Sequence, residues 1–479
     1  MTDIIQWVER EAVRFGALAD EIWSLAETRF EEFRSAAILV EALRAEGFTV
    51  TTGLSGMPTA FLAEYGTDGP IAGFLGEYDA LAMLSQQDGA AVHMPIVEGG
   101  NGHGCGHNLL GVGALMAAVA LKNHLQSNEL PGRVRYYGCP AEEGGSGKVF
   151  MARDGLFNDL DFALTWHPGP AAGLKSYPGL AITQSSFRFL GRAAHASWAP
   201  HLGRSALDAV ELMNVGVNFL REHMPPDSRV HYAITNAGGA AANVVQAEAE
   251  VLYVVRSPNS NDANALFDRV IDVAKGAARM TGTELEIKFG RATSNILLND
   301  ELENMMYRSL EEIGPVPFDD DDRAFATKIR TSLTEEDVSF YEKHFGAAGN
   351  SPLFEGLLPH KRQNLAGTTD VGDVSWIVPT GQFWGACFAI GTPFHTWQLV
   401  AQGKSSAAHK GMVHAAKAMA LTAAKMLQAP ETILAAKQEH ERRRGGKAYD
   451  CPIPANVAPP AKAGPELMHG AGPQAAPAI

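Results

Sequence analysis

The chain has 479 residues, 46% hydrophobic and 19% charged, with a formal net charge of −15. That length can hold two or three domains around a large core. The acidic balance argues against nucleic acid or an anionic membrane surface as a partner, and no run reaches the ~18 uncharged apolar residues of a membrane-spanning helix.

Residues 3–45 read as two amphipathic helices, with Asp3 a candidate cap and Ile4, Val8, Ala12 and Phe15 at helical spacing. Strand-like runs follow at 58–66 and 71–79, then an apolar helix from Leu109 to Leu125. A strand at 133–138, a helix near 146–155 and a strand at 161–166 continue the alternation. Strands alternating with helices predict an α/β layer with a largely parallel sheet. From about Ser185 the rhythm changes to strand 185–191, helix 204–222, strands 229–236 and 248–256, helix 261–281 and strand 283–290. That β-α-β-β-α-β order is ferredoxin-like and predicts a domain inserted into the α/β layer. The first layer then resumes with a helix at 300–313, an apolar stretch at 382–392 and a long helix at 405–427. DDDDRA at 319–324 reads as an acidic loop, and the Pro/Ala/Gly-rich end from Pro452 as an extended tail. The expected domains are 1–184 and 293–428 for the α/β layer, 185–292 for the insertion, and 429–479 for a C-terminal extension.

The N-terminus lacks the apolar core of a secretion signal. The four scattered cysteines, Cys105, Cys139, Cys387 and Cys451, suit reduced thiols, so the expected location is cytoplasmic.

Residues that bind transition metals recur at strand-to-loop junctions. Cys105 and His107 lie in GHGCGHN, where flanking glycines allow tight turns that aim both side chains at one ion. The alternative is a glycine-rich turn with a buried Cys and an incidental His. His103 is a candidate third ligand, with a structural role or one behind the ligands the stronger reading. Glu142 and Glu143 in PAEEGG point apart if extended, but on a turn one can ligate while the other moves protons. The alternative is a solvated acidic pair at a helix start. His167 in TWHPG and His395 in GTPFHTW each end an apolar run; singly, either is more often structural. Asp79 in GEYDAL is a candidate to orient a ligating histidine, or a helix cap. In the insertion, His195 lies in GRAAHASWAP, while Asn243 and Arg256 flank the strand at 248–256, Arg256 near its end; Arg suits a substrate carboxylate. In open α/β sheets ligands bind beyond the carboxyl ends of strands, which is where these residues can meet.

Together GEYDAL, HGCGHN, PAEEGG, TWHP, GRAAHASWAP, GGAAANVVQAEAEVLYVVRS and GTPFHTW resemble the M20 metallopeptidase/amidohydrolase family, D branch, over about residues 1–455. The resemblance implies a zinc-peptidase-like α/β catalytic domain with an inserted lid and dimerisation domain. It implies two divalent metal ions, Mn²⁺ or Zn²⁺, held by Cys105, His107, Glu143, His167 and His395, with Glu142 as general acid/base. It further implies that His195 completes a neighbouring subunit's site at the oxyanion and that Asn243 and Arg256 contact the substrate. The implied reaction is hydrolysis of an N-acyl amino acid, with p-aminobenzoyl-glutamate or a similar aroyl-amino acid preferred. A dipeptidase or aminoacylase of the same fold, and a partner-dependent subunit, are the alternatives. A homodimer through the lid, or a hetero-oligomer with a related subunit, is expected. The branch pattern is CGHD, and here Asn108 replaces the Asp, a substitution that itself resembles the aroyl-glutamate subgroup.

Overall fold

The computed structural model describes residues 1–345, 351–363 and 366–461. Two helices open the chain, α1 (Thr2–Leu25) and α2 (Phe33–Ala45), followed by β1 (Thr49–Thr52) and β2 (Phe61–Tyr65). Next come β3 (Ile71–Glu77), α3 (His107–Ser127), β4 (Arg133–Cys139), α4 (Gly147–Arg153), β5 (Phe162–Gly169) and β6 (Gly173–Leu174). A second group comprises β7 (Ala181–Leu190), α5 (Ala206–Arg221), β8 (Arg229–Asn236), β9 (Glu248–Ser257), α6 (Ser260–Thr281) and β10 (Glu284–Thr293). The chain continues through α7 (Asp300–Ile313), α8 (Asp320–Arg330), α9 (Glu335–Phe345), α10 (Val371–Ser375), β11 (Thr380–Ala386), α11 (Trp397–Val400), α12 (Ser406–Leu427) and α13 (Pro430–Arg444).

The larger sheet runs β1-β2-β4-β3-β5-β11-β6. Its centre, β4-β3-β5-β11, is parallel, and the pairs toward both edges are antiparallel. Central parallel strands are covered on both faces, so they are continuously apolar; every residue of β3 is buried. Helix α3 is apolar enough along its length to pass for a membrane span, but 94% of that stretch is buried inside the protein. It packs against β3, α1 and α12 as the central helix of the core.

The smaller sheet runs β10-β7-β9-β8, all antiparallel. Burial alternates along β7 and β9, and Phe187, Phe189, Val251, Tyr253 and Val255 face the apolar sides of α5 and α6. This is the β-α-β-β-α-β order expected from the strand and helix spacing.

Three local expectations are corrected. Asp3 does not cap α1: it sits in the first turn, 2.6 Å from His124 Nδ1 and 2.8 Å from the amino terminus, which together draw its carboxylate inward. The acidic run at 319–324 is the start of α8, where Asp319 and Asp322 form a reciprocal capping box and Lys410 Nζ lies 2.5 and 2.6 Å from their carboxylates. The helix dipole and one lysine make a carboxylate cluster favourable there. The segment after Asp450 is docked rather than loose as far as residue 461. Ile453 is buried, and Arg153 Nη1 donates to Val457 O at 2.7 Å. The rest of the predicted tail, 462–479, lies outside the described residues.

Candidate metal centre

The site is assembled at the carboxyl ends of β3, β4 and β5. Asp79 lies just past β3, with Glu77 as that strand's last residue. Cys105 precedes α3 and His107 is its first residue. The residue between them, Gly106, caps the helix with φ +81, and a β-carbon there would meet Pro168 at 2.7 Å, so only glycine fits. After β4 the chain turns sharply through Ala141 (φ 60), Glu142, Glu143 and Gly144 (φ +126), closed by Gly145 N donating to Ala141 O at 2.9 Å. His167 lies within β5. His395, in the loop after β11, is held with φ 60 by its N–H donating to Gly104 O at 2.8 Å. A non-glycine residue in that region stores strain, which is common where a side chain is aimed for function.

The donor atoms converge. Cys105 Sγ lies 3.4 Å from His167 Nε2, and His395 Nε2 lies 3.3 Å from Glu143 Oε1. Cys105, His107 and His167 form one group of donors mutually within 4.8 Å, and Cys105, Glu143 and His395 form a second. Cys105 is common to both. A third group joins His107 to Glu77 and Glu142. Donors bound about 2.0–2.3 Å from one tetrahedral ion sit roughly 3.3–3.7 Å apart, which matches the observed pairs. His107 Nε2 and Glu143 Oε1 are buried without a hydrogen-bond partner among the described residues. The donor set, its spacing and these unsatisfied atoms fit a divalent metal centre.

The tautomers fit as well. His107 Nδ1 donates to Asp79 Oδ1 at 2.9 Å, leaving Nε2 facing the site. His167 Nδ1 donates to the adjacent Pro168 O at 2.8 Å, again freeing Nε2. Asp79 does double duty, since its Oδ2 accepts from Glu143 N at 2.8 Å. One carboxylate thus fixes both the ring of His107 and the backbone of Glu143.

Electrostatics separate the two adjacent glutamates. Burial pushes the half-buried Glu142 well above the usual carboxylate range, and repulsion from Glu77, Glu143 and Asp370 adds to it. Burial also acts on Glu143, but His395 and His107 outweigh it and lower that carboxyl to about 2. Burial, then Lys175 and His107, lowers His167 to about 3, so it is neutral. Burial opposes charge on His107, yet Cys105 and Asp79 hold it well above its ordinary value; this pocket favours positive charge.

Four functional neighbours escape the motif reading. Lys148, fully buried on α4, bridges Glu77 (2.6 Å) and Asp370 (2.7 Å). Glu77 also lies 3.3 Å from His107 Nε2. Buried Glu32 accepts from Ala141 N at 2.8 Å and braces the Glu142–Glu143 turn. The available signals are slight: GEYD sets Glu77 and Asp79 two apart on one strand face, and TTDVGD holds Asp370. His103 proves structural, buried and bonded to Ile22 O at 3.1 Å.

The sequence-predicted candidates of the smaller domain are His195, Asn243 and Arg256. His195 and Asn243 are exposed neighbours, joined by an isolated bridge between His195 and Val244 and by Ala196 N donating to Asn243 O at 3.0 Å. His195 Nδ1 accepts from the backbone N–H of Ser197 and Trp198, both at 3.3 Å, which puts its proton on the outward Nε2. Among the described residues, no hydrogen bond or ion pair joins either to the metal-binding group. Arg256 Nη1 donates to Thr368 Oγ1 at 2.6 Å, two residues before Asp370.

The model for peptidase family M20/M25/M40 matches residues 73–358. A relative from Escherichia coli (strain K12), a subunit of p-aminobenzoyl-glutamate hydrolase, is 49% identical over 94% of this chain and 97% of its own length. The chain belongs to the M20/M25/M40 peptidase family. A second relative, Xaa-Arg dipeptidase from Mus musculus, is 30% identical over 90% of both chains. A solved dinuclear metal-binding M20 peptidase from Bacillus subtilis superposes with a TM-score of 0.55 at 17% identity, covering 88% of this chain and 99% of that one. The last likeness is one of fold.

Proposed function

We propose that this chain is a metal-dependent amidohydrolase that cleaves p-aminobenzoyl-glutamate or a closely similar N-acyl amino acid and releases the free amino acid. The observation that carries this reading is the convergence of Cys105, His107, Glu143, His167 and His395 beside the carboxyl of Glu142. The relative 49% identical over nearly the whole chain supports the substrate class. The five donors would hold two divalent ions, Mn²⁺ or Zn²⁺, with Cys105 common to both groups. When bound, such ions lower the pKa of a coordinated water and polarise a carbonyl.

The chain's own residues supply the rest. Glu142 takes the proton of the attacking water and passes it to the departing amine, a role suited to a carboxyl whose affinity for protons is raised. Asp79 fixes His107 and the Glu143 backbone, so the donors need not reorganise. His195 offers an outward N–H to the developing oxyanion. Arg256, steadied by Thr368, binds the α-carboxylate of the leaving amino acid together with Asn243.

His195 is exposed and, among the described residues, makes no hydrogen bond or ion pair with its own chain's donors, which supports a shared site completed by a second subunit. Strand β8 is a sheet edge carrying exposed Tyr232 and Ile234, and α5 exposes Leu212, Val215 and Phe219. That apolar margin suits a dimer through the smaller domain. The Escherichia coli relative is one subunit of its hydrolase, which favours a second reading in which the partner is a related chain. All four cysteines are free, which suits the cytoplasm.

The test is direct. Purified chain loaded with Mn²⁺ or Zn²⁺ should hydrolyse p-aminobenzoyl-glutamate without a partner. Glu142→Ala should keep its metal content by elemental analysis while turnover falls by about 10²–10⁴-fold. Wild-type rates in that variant would end the assignment.

A further inference from the structure

Positive charge gathers on one side of the Glu142–Glu143 turn. Gly144 has φ +126, and a β-carbon there would lie 2.6 Å from Arg29 Nη1 and 3.6 Å from Arg291 Nη1. Two guanidinium groups therefore overhang the same residue, one from the loop between α1 and α2 and one from the end of β10. Sharing a point at those distances, their Nη1 atoms are at most about 6 Å apart, close for like charges. Arg291 is half-buried, and its Nε donates to Gln184 Oε1 at 3.3 Å.

Among the described residues, neither arginine has a carboxylate within ion-pair distance. Of the acidic groups nearby, Glu143 faces His395 at 3.3 Å and Asp370 is held by Lys148 at 2.7 Å, while Glu142 acts on Arg291 only beyond ion-pair distance. Burial lowers Arg291 and the Arg29 charge adds to this, though Glu142 partly offsets it; burial and Arg291 likewise lower Arg256. A partly desolvated cation such as Arg291 with a second guanidinium beside it is costly, and an anionic ligand would relieve it.

We propose that Arg29 and Arg291 form a second anion subsite that receives the side-chain carboxylate of the leaving amino acid. This rests on the amidohydrolase reading and assigns the two carboxylates of an acidic amino acid separately: the α-carboxylate to Arg256, the distal one to Arg29 and Arg291. Gly144 keeps the space open, since any side chain there would displace Arg29. The same charges disfavour a cationic leaving residue, which sets this chain apart from a dipeptidase that releases arginine.

The experiment has two arms. In the first, the metal-loaded full chain is assayed on p-aminobenzoyl-glutamate and on its neutral isostere p-aminobenzoyl-glutamine. Wild type should prefer the glutamate, and Arg29→Gln and Arg291→Gln should each reduce that preference by about 10- to 100-fold, the scale of one charge-assisted hydrogen bond. Arg→Lys variants should lose less. Arg29 is exposed, so its substitution reads the subsite even if Arg291→Gln misfolds. In the second arm, calorimetry compares binding of L-glutamate and L-glutamine without reference to turnover. Selective glutamate binding that both Gln variants abolish, with neither amide hydrolysed, would keep the subsite and refute the amidohydrolase reading. A preference unchanged by Arg29→Gln, or no preference in the wild type, overturns the subsite.

Discussion

Asp79 sets two groups of the metal centre at once. One oxygen accepts from His107 Nδ1 and the other from Glu143 N. Asp79→Ala should therefore release the tautomer of one ligand and the backbone under another, and metal affinity should fall by about 10–100-fold in a competition titration with a chelator. Affinity equal to wild type would show that packing alone orients the donors. Asn108 illustrates the opposite constraint. Its buried Nδ2 donates to Ala19 O and Gly403 O at 3.3 and 3.1 Å. A carboxylate cannot donate to two carbonyls, so the amide is the better residue in this surrounding, and the departure from CGHD has a packing reason outside the chemistry. At the residue scale the candidate ligands are legible because each lies at a strand-to-loop junction or a glycine-rich turn, close to glycine or proline. Glu77, Lys148, Glu32, Arg29 and Arg291 are not, because nothing local distinguishes a buried ion-pair partner or a converging guanidinium from a surface charge.

Elements with a strong period were legible and elements without one were not. β8 reads as 229–236 and α7 as 300–313 in both sequence and structure, because alternation and helical spacing are unambiguous there. β1 and β6, at four and two residues, are too short to show a period. Helix α8 was masked by its own first turn, since four successive aspartates look like a solvated loop. The cap is what makes that turn helical. Asp319→Ala removes the acceptor for Asp322 N and one partner of Lys410, leaving Asp322 paired to the lysine at 2.6 Å. Urea unfolding should show a lower midpoint than wild type, the direction of a lost helix cap. A change near zero would mean that α8 is set wholly by the packing of Ala326 and Ile329.

The whole molecule is closed by its C-terminal helices, which bring the last third of the chain back onto the first. Helix α12 packs against α3, α1 and α7, and α13 lies against α7 and α12. A buried histidine is among the groups inside this closure. His414 on α12 is buried and donates from Nε2 to Gly314 O at 2.8 Å, just past the end of α7. Burial lowers it from 6.5 to about 4, only partly opposed by the bond to Gly314 O. In the unfolded chain an ordinary histidine takes up a proton below about 6.5; in the folded chain this one resists until about pH 4. Between those values the unfolded state binds more protons, so stability falls as pH falls through this window, by about 3 kcal/mol in full. Above pH 6.5 the contribution is complete and flat. His414→Gln keeps a donor for Gly314 O and removes the titration. Unfolding free energies measured at pH 7.5, 6 and 4.5 should therefore fall more steeply for wild type than for the variant, with the curves diverging as pH drops. Parallel curves would show that the loss of stability in acid arises elsewhere, among the other buried groups rather than at the α7–α12 closure.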